Sequence, residues 1–396
     1  MKFIFFQKER SIWNSLISLS LSSYLLFAFI SISASQAFIS LAIIFFLIFL
    51  IREKQRFAFP TFFWLIIGYA FLSLLSSLFS VNPEISLADS RELLLFMIVP
   101  IIYTGFSRKE DILLANYALL ASCSLSSLYS IFLFFFQSSP GERASGFMGH
   151  YMTQAGLLLL FCCLALSKLV FSRNKTRFIW AGALLISLIA LSLTLTRSAW
   201  VGLVVAACLI LLFYKPKTLI ILPILAGLFF LIGPQNMKRR ALSIFSLKSH
   251  SNQQRIQYIK AGIHIIKEFP LLGTGPDTVD MVFQDPKYEL SAEARRNVHL
   301  HNNLIQIAAE RGIPTLILWL AFMVWTFVSL SNLLRNKDPS LYLLTIASMA
   351  VLAALFSAGL FEYNFADSEI TMLFLYLITL PFCLLRIERK ESKNTK

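Results

Sequence analysis

The sequence predicts an all-α, polytopic integral membrane protein with about 12 transmembrane helices. Of its 396 residues, 57% are hydrophobic and only 14% are charged, whereas a soluble domain carries about a quarter charged residues. Phenylalanine alone accounts for 38 positions, which suits helices that face lipid. The long apolar runs lack the period-two alternation of a membrane β-barrel, so helices are the structure that satisfies their backbone in a bilayer.

Twelve apolar segments define the predicted spans. They cover residues 11–32, 37–51, 60–80, 93–106, 112–136, 154–171, 178–195, 198–214, 218–233, 312–334, 340–361 and 370–385. The chain therefore forms a single membrane domain over residues 1–396. Its one large elaboration is the long loop (residues 234–303) between the ninth and tenth spans, where isoleucines at helical spacing over residues 254–269 predict a helix that ends before Pro270.

Basic residues set the predicted orientation. The net charge is +14, and lysines and arginines fall mainly in alternate loops. This basic set comprises Lys2, Lys8 and Arg10; Arg52, Lys54 and Arg56; Arg108 and Lys109; Arg173, Lys175 and Arg177; Lys215 and Lys217; Arg335 and Lys337; and the tail 386–396. With twelve spans these loops share one side, which the positive-inside rule makes the cytoplasm. Both termini are then cytoplasmic, the partners of the basic loops are membrane lipids, and no motif indicates nucleic acid.

The opposite loops carry four polar clusters. They are centred on Arg143 with His150, on Arg197, on Arg255, and on His299 with His301. Ionisable groups near a membrane face are costly unless they are paired or used. Each cluster also has a structural interpretation, since arginines can snorkel to lipid headgroups and histidines can be a surface pair.

The clusters together favour a specific chemistry. Arginine offers a planar fork for phosphate, and histidine can take up a proton near neutral pH. Arginines could hold a diphosphate and stabilise it as a leaving group while a histidine deprotonates an incoming hydroxyl. No third carboxylate or cysteine lies at a typical metal-ligand spacing from the H-x-H pair, so we expect neither a metal centre nor a cofactor. A lipid-linked donor would reach such a site from the bilayer.

These motifs resemble those of the O-antigen ligase and polymerase superfamily. The similar segments are R-A-S-G-F at 143–147, L-T-R-S-A-W-V-G at 195–202, Arg255 with P-L-L-G-T-G at 270–275, H-N-N-L-I-Q at 301–306 with E-R-G-I-P at 310–314, and the last outer loop at 362–369. The resemblance covers the chain from Arg143 to the C-terminus, and the order and spacing of the motifs agree.

The resemblance implies a GT-C-like, metal-independent, inverting glycosyltransferase of the bacterial inner membrane, with its active site facing the periplasm. A ligase of this family transfers O-antigen polysaccharide from undecaprenyl diphosphate to a sugar hydroxyl of lipid A-core in lipopolysaccharide biosynthesis. The catalytic histidine would be His301, as a base or an acceptor-orienting group. The diphosphate contacts would be Arg143, Arg197 and Arg255, with Asn302, Asp367, His150 and His299 as supporting candidates.

Two other functions stay open at this point. An O-antigen polymerase would use the same kind of donor but would join one lipid-linked repeat unit to another. A transporter or flippase of an anionic lipid-linked substrate would also need arginines near the membrane. Transport is favoured less, because the sequence contains no internal repeat and its charges cluster at one face rather than at the midplane.

Overall fold

The computed structural model describes residues 11–136, 142–246 and 249–394, and within these ranges the chain is helical without any β-strand. The predicted all-α class is therefore confirmed. The α-helices are α1 (Ile12–Phe27), α2 (Ile32–Arg52), α3 (Phe63–Leu78), α4 (Pro83–Asp89), α5 (Ile98–Gly105), α6 (Lys109–Phe136), α7 (Tyr151–Phe171), α8 (Arg177–Leu193), α9 (Arg197–Tyr214), α10 (Ile221–Ile232), α11 (Gln235–Leu242), α12 (His250–Glu268), α13 (Val279–Val282), α14 (Asn303–Leu333), α15 (Pro339–Gly359) and α16 (Ser368–Asn394). The basic residues Lys2, Lys8 and Arg10 lie outside the described ranges.

Seven of these helices are long and apolar enough to cross a membrane: α2, α6, α7, α9, α14, α15 and α16. Shorter apolar helices occupy four more predicted spans, at α1, α3, α8 and residues 216–232. The fourth predicted span is divided between a 3-10 helix (Ser90–Met97) and the short α5. The chain is thus a multi-pass membrane protein, while the number of twelve spans stays a prediction.

The centre of the bundle is formed by α7, α15 and α16. The apolar windows of these helices are 67%, 78% and 83% buried, against 28% for α2. Helix α9 lies close to α15, because Gly202 presents no Cβ toward the backbone oxygen of Ala354 and the side chain of Ala358. Small residues allow this approach between membrane helices. The contact fixes the first turn of α9, which carries Arg197, near the end of α15.

Several predicted cytoplasmic residues meet at one end of the bundle. Lys109 pairs with Glu388 at 2.9 Å, and the guanidinium of Arg386 donates to the backbone oxygens of Thr104 and Phe106. The long loop lies at the opposite end, where it contacts the α8–α9 turn. This separation of basic loops from the long loop is consistent with the predicted topology.

The long loop is hydrogen-bonded to the bundle at a break in α14. Gly312 has φ 82° and divides α14 into a short first part and a longer membrane-spanning part. Residues 270–275 of the loop supply the backbone partners at this break. Thr274 N donates to Ala309 O at 2.9 Å, and Gly275 N donates to Glu310 O at 2.8 Å. On the other side of the break, Ile313 N donates to Pro270 O at 2.9 Å. These bonds satisfy irregular backbone at the edge of the membrane domain, where unpaired groups are costly.

Replacing Gly312 with alanine should destabilise the protein. The new Cβ would overlap the carbonyl group of Leu271, and the positive φ itself costs a non-glycine residue about 1–3 kcal/mol. The thermal unfolding midpoint of the purified protein measures this effect. Gly182→Ala in α8 is the matched control, since its Cβ would meet nothing within 4 Å. Equal midpoints for the two variants would contradict the role given to the break.

Candidate active site

Three chain segments meet at the loop end of the bundle. Ala144 N donates to Leu193 O at 3.2 Å, which joins the segment before α7 to the α8–α9 turn. Ala144 and Leu193 also share a small apolar core with Met237 of α11. This packing brings Arg143, Arg197 and the α11 arginines into one region.

Arg197 anchors the long loop to α9. Its side chain is almost fully enclosed, with the residue 5% exposed. Nη1 donates to the carbonyl oxygen and the hydroxyl of Ser243 at 2.8 and 3.0 Å. Nη2 donates to Ser251 Oγ at 2.7 Å and to Asn252 Oδ1 at 2.8 Å. All four Nη hydrogens are therefore engaged by the loop, and Arg197 positions the loop in this structure.

Arg255, Arg197 and His301 line one cavity of about 220 Å³, which we call the arginine cavity. Three of the four residues predicted for the site are thereby brought together. In contrast to Arg197, the Arg255 guanidinium donates no hydrogen bond to another described residue and is half-buried. Burial lowers the pKa of Arg255; the nearby Glu362 carboxylate opposes this and Arg143 adds to it. Arg255 thus offers a cation to whatever occupies the cavity.

Arg143 and Arg240 extend the positive charge beside the cavity. The Arg143 guanidinium lies over the Tyr151 ring, 4.3 Å from its centroid. Arg240 donates through Nε to Leu195 O at 3.2 Å. Burial lowers the pKa of Arg240, and the charges of Arg143 and Arg255 lower it further. Four arginines that repel one another form an anion-binding environment.

The sequence alone does not single out Arg240, because Arg239-Arg240 resembles an ordinary solvated basic pair in a loop. A helical period places Arg240, and not the exposed Arg239, next to the α8–α9 turn.

His301 is held by a carboxylate. Its Nδ1 lies 2.9 Å from Glu362 Oε1, with the two side chains 13% and 10% exposed. Burial acts to raise the pKa of Glu362, but the hydrogen bond with His301 and the positive groups around it outweigh burial and lower that pKa. An ionised Glu362 accepts the Nδ1 proton, which leaves Nε2 as the basic nitrogen of a neutral His301. Glu362 was not predicted as a site residue, since it follows His301 by 61 positions in the chain.

The residues after His301 explain why it sits in this position. Asn302 caps α14 by accepting from the backbone nitrogens of Leu304 and Ile305. Its amide also donates to Leu360 O at 2.8 Å, two residues before Glu362. His301 itself has φ 51°, an uncommon conformation for a histidine that this cap maintains. Asn302 therefore positions the His301–Glu362 pair.

His299 lies against His301, with ring centroids 4.4 Å apart. Burial lowers the pKa of His299, and the neighbouring His301 lowers it further. One nitrogen of each histidine and one oxygen of Glu362 lie within 4.8 Å of one another. These three residues are the group that could hold a metal ion among the described residues, and Glu362 is the third ligand that sequence spacing did not reveal.

His150 and Asp367 meet at Thr153, at the start of α7. Thr153 Oγ1 donates to Asp367 Oδ2 at 2.9 Å and lies 3.3 Å from His150 Nδ1. Burial raises the pKa of Asp367 to about 8, together with its interaction with Glu369. These side chains are near the His301–Glu362 pair but do not line the arginine cavity.

The fold and the site define a multi-pass helical membrane protein that presents arginines and a histidine–carboxylate pair at one end of its bundle. Residues 182–320 match a family model described as O-antigen ligase. This match supports the assignment of the chain to the O-antigen ligase/polymerase superfamily, and it confirms the resemblance that the motifs predict. It includes Arg197, Arg255 and His301, whereas Arg143 and Glu362 lie outside it. No curated protein matches the chain.

Replacing Arg197 with lysine should loosen the long loop. A lysine cannot make the four hydrogen bonds to Ser243, Ser251 and Asn252. Charge-assisted bonds contribute about 1.5–3 kcal/mol each, so protease cleavage within residues 243–252 should become at least about tenfold faster. Arg177→Lys, at the opposite end of α8, is the control. Unchanged cleavage in Arg197→Lys would contradict the anchoring role.

Proposed function

We propose that the protein is an O-antigen ligase that transfers O-antigen polysaccharide from undecaprenyl diphosphate to a sugar hydroxyl of lipid A-core. One observation carries the proposal: the arginine cavity combines available positive charge with a histidine whose Nδ1 is held by a carboxylate. The family match over residues 182–320 supports an enzyme of the ligase/polymerase kind.

The lining of the cavity suits a diphosphate attached to a lipid. Arg255 supplies charge to the lining, and Arg143 and Arg240 contribute to the same positive field. The rest of the lining is largely apolar and includes Val201 of α9 together with Ile256 and Ile259, which lie on the same helix as Arg255. Ile256 and Ile259 are 40% and 37% exposed on α12, so the apolar surface continues outward from the cavity. An amphipathic ligand would place its phosphates on the arginines and its chain on this surface.

The His301–Glu362 pair suits deprotonation of the acceptor. In the proposed step, Nε2 of His301 takes the proton of the acceptor hydroxyl as that oxygen bonds to the anomeric carbon of the donor. The bond from that carbon to the diphosphate oxygen breaks on the opposite face, which inverts the configuration. Glu362 stabilises the imidazolium that forms, and the arginines stabilise the diphosphate as it leaves. Because guanidinium groups neutralise the leaving group, the step uses no metal ion.

The four predicted supporting residues have different proposed roles. Asn302 positions His301 through the α14 cap and Leu360. Asp367 and His150, which both contact Thr153, would help to orient the acceptor. His299 packs against His301 without a proposed part in transfer. Arg197 acts by holding the loop that carries Arg255.

The proposed location is the bacterial inner membrane, with both termini in the cytoplasm and the arginine cavity facing the periplasm. Its support is the clustering of Lys109 and Arg386 at the end of the bundle opposite the cavity.

His301→Ala should lower the transfer rate by at least about 100-fold, because general-base catalysis contributes about 10²–10⁴-fold. Glu362→Gln should cause a smaller loss, since glutamine can still accept the Nδ1 proton but no longer balances the imidazolium charge. Single-turnover transfer with purified protein gives both rates. His264→Ala, an exposed histidine of the same loop paired with Glu268, is the control. Full activity in His301→Ala would remove the base assignment.

Arg240→Ala should weaken donor use, whereas Arg239→Ala should leave it unchanged. The two residues are adjacent, yet only Arg240 contacts the α8–α9 turn and interacts with Arg143 and Arg255. Loss of one charged contact to a phosphate predicts a rise in donor KM of about tenfold or more. Inorganic pyrophosphate inhibition provides a second measurement, and Arg240→Ala should need more pyrophosphate. Equal effects of the two substitutions would argue against an ordered arginine cluster.

The acceptor decides between ligase and polymerase. Purified protein would receive a lipid-diphosphate-linked glycan together with either lipid A-core or a second lipid-linked glycan. We expect glycan on lipid A-core. A lengthened lipid-linked glycan would instead identify a polymerase. Absence of both products, with donor bound but chemically unchanged, would favour transport of the lipid-linked substrate.

A further inference from the structure

We propose that His299, His301 and Glu362 form a binding site for an exchangeable divalent transition-metal ion of the Zn²⁺ class. The metal site goes beyond the proposed transfer reaction, and its occupancy does not depend on that function. One ligand atom from each residue lies within 4.8 Å of the other two. Two imidazoles and one carboxylate are a common three-ligand set for zinc sites that keep a position open.

Two buried atoms of the cluster have no hydrogen-bond partner in the part of the chain that the structure describes. They are His299 Nδ1 and Glu362 Oε2. A buried imidazole nitrogen and a buried carboxylate oxygen without partners are costly, and a metal ion satisfies both. The other carboxylate oxygen, Oε1, lies 2.9 Å from His301 Nδ1, and the His299 ring lies 4.4 Å from the His301 ring, so the three side chains are already adjacent before any ion binds.

The ligands sit on segments fixed by other contacts. The backbone nitrogen of Leu300, between the two histidines, donates to Gln306 Oε1 at 2.6 Å. Asn302 joins this segment to Leu360, and the Tyr258 ring lies 5.5 Å from the His301 ring. Because these contacts do not involve the proposed ligand atoms, metal binding needs little rearrangement of the backbone.

The surroundings make the ion exchangeable. The charge of Arg255 acts on Glu362, and further arginines lie beside the cavity. These nearby positive charges oppose the binding of a dication. A structural zinc site, in contrast, is closed by four ligands. If His301 is the base of the proposed reaction, a bound ion occupies its nitrogen or its carboxylate partner. The ion is then an inhibitor of transfer rather than its cofactor.

Zn²⁺ alone, titrated calorimetrically into the purified full-length protein in lipid nanodiscs, tests the site. We expect one saturable ion per chain in the wild type. His299→Ala should weaken binding at least about tenfold, and Glu362→Gln should do the same, because each removes a ligand. His264→Ala should bind as the wild type does, since His264 forms a separate exposed pair with Glu268.

A second measurement covers the case of a variant that fails to fold. His299→Cys offers a thiolate in place of the imidazole, and Co²⁺ bound to it should give a thiolate charge-transfer absorption that the wild type lacks. Absence of saturable binding in the wild type would overturn the site. Equal binding in wild type, His299→Ala and Glu362→Gln would do the same.

Transfer assays separate this inference from the proposed function. We expect Zn²⁺ to inhibit wild-type transfer reversibly, with activity restored by a chelator. Binding at the three residues without inhibition would keep the metal site and argue against His301 as the base. Transfer that depends on His301 in a protein that binds no ion would keep the proposed function and reject the metal site.

Discussion

The backbone hydrogen bonds between residues 270–275 and the broken turn of α14 hold the functional end of this molecule together. They place the long loop against the bundle and fix the short first part of α14. His301 precedes that part directly, and Arg255 lies on the loop helix that packs beside it. A small shift at Gly312 would therefore move the base and the available arginine relative to each other. Gly273 and Gly312 permit this close backbone contact, since a Cβ on either would overlap backbone atoms across it, whereas a Cβ on Gly275 would overlap the side chains of Ser80 and Ser86.

Hydropathy and motif order predict much of this arrangement. The apolar segments coincide with helices, and the structure places Arg197, Arg255 and His301 around one cavity. The sequence does not show which residues each polar side chain contacts. Arg197 is engaged by Ser243, Ser251 and Asn252, which depends on how the loop folds back. Glu362 and Arg240 join the site through tertiary contacts that no local spacing encodes. In the sequence the G-T-G stretch at 273–275 is only part of a motif, and the structure shows that its backbone is hydrogen-bonded to the broken turn of α14.

The electrostatics of the site are unbalanced in a way that matches its proposed task. Arg143, Arg197, Arg240 and Arg255 lie close enough to oppose one another's charge, and Glu362 is the carboxylate that acts on Arg255. Repulsion within such a cluster destabilises the protein, and a bound anion reduces this repulsion. The same carboxylate keeps the neighbouring histidine in one tautomer. One acid thus links the anion-binding groups to the proton-accepting group.

The distribution of these residues along the chain has a consequence for biosynthesis. Arg197 belongs to α9, Arg255 to the long loop, His301 to the start of α14 and Glu362 to the segment after α15. Because a chain is made from its N-terminus, the arginines emerge from the ribosome well before the acid that orients the histidine. A partly inserted chain then carries the arginines but lacks the complete histidine–carboxylate pair. Completion of the site is thereby tied to insertion of the last helices.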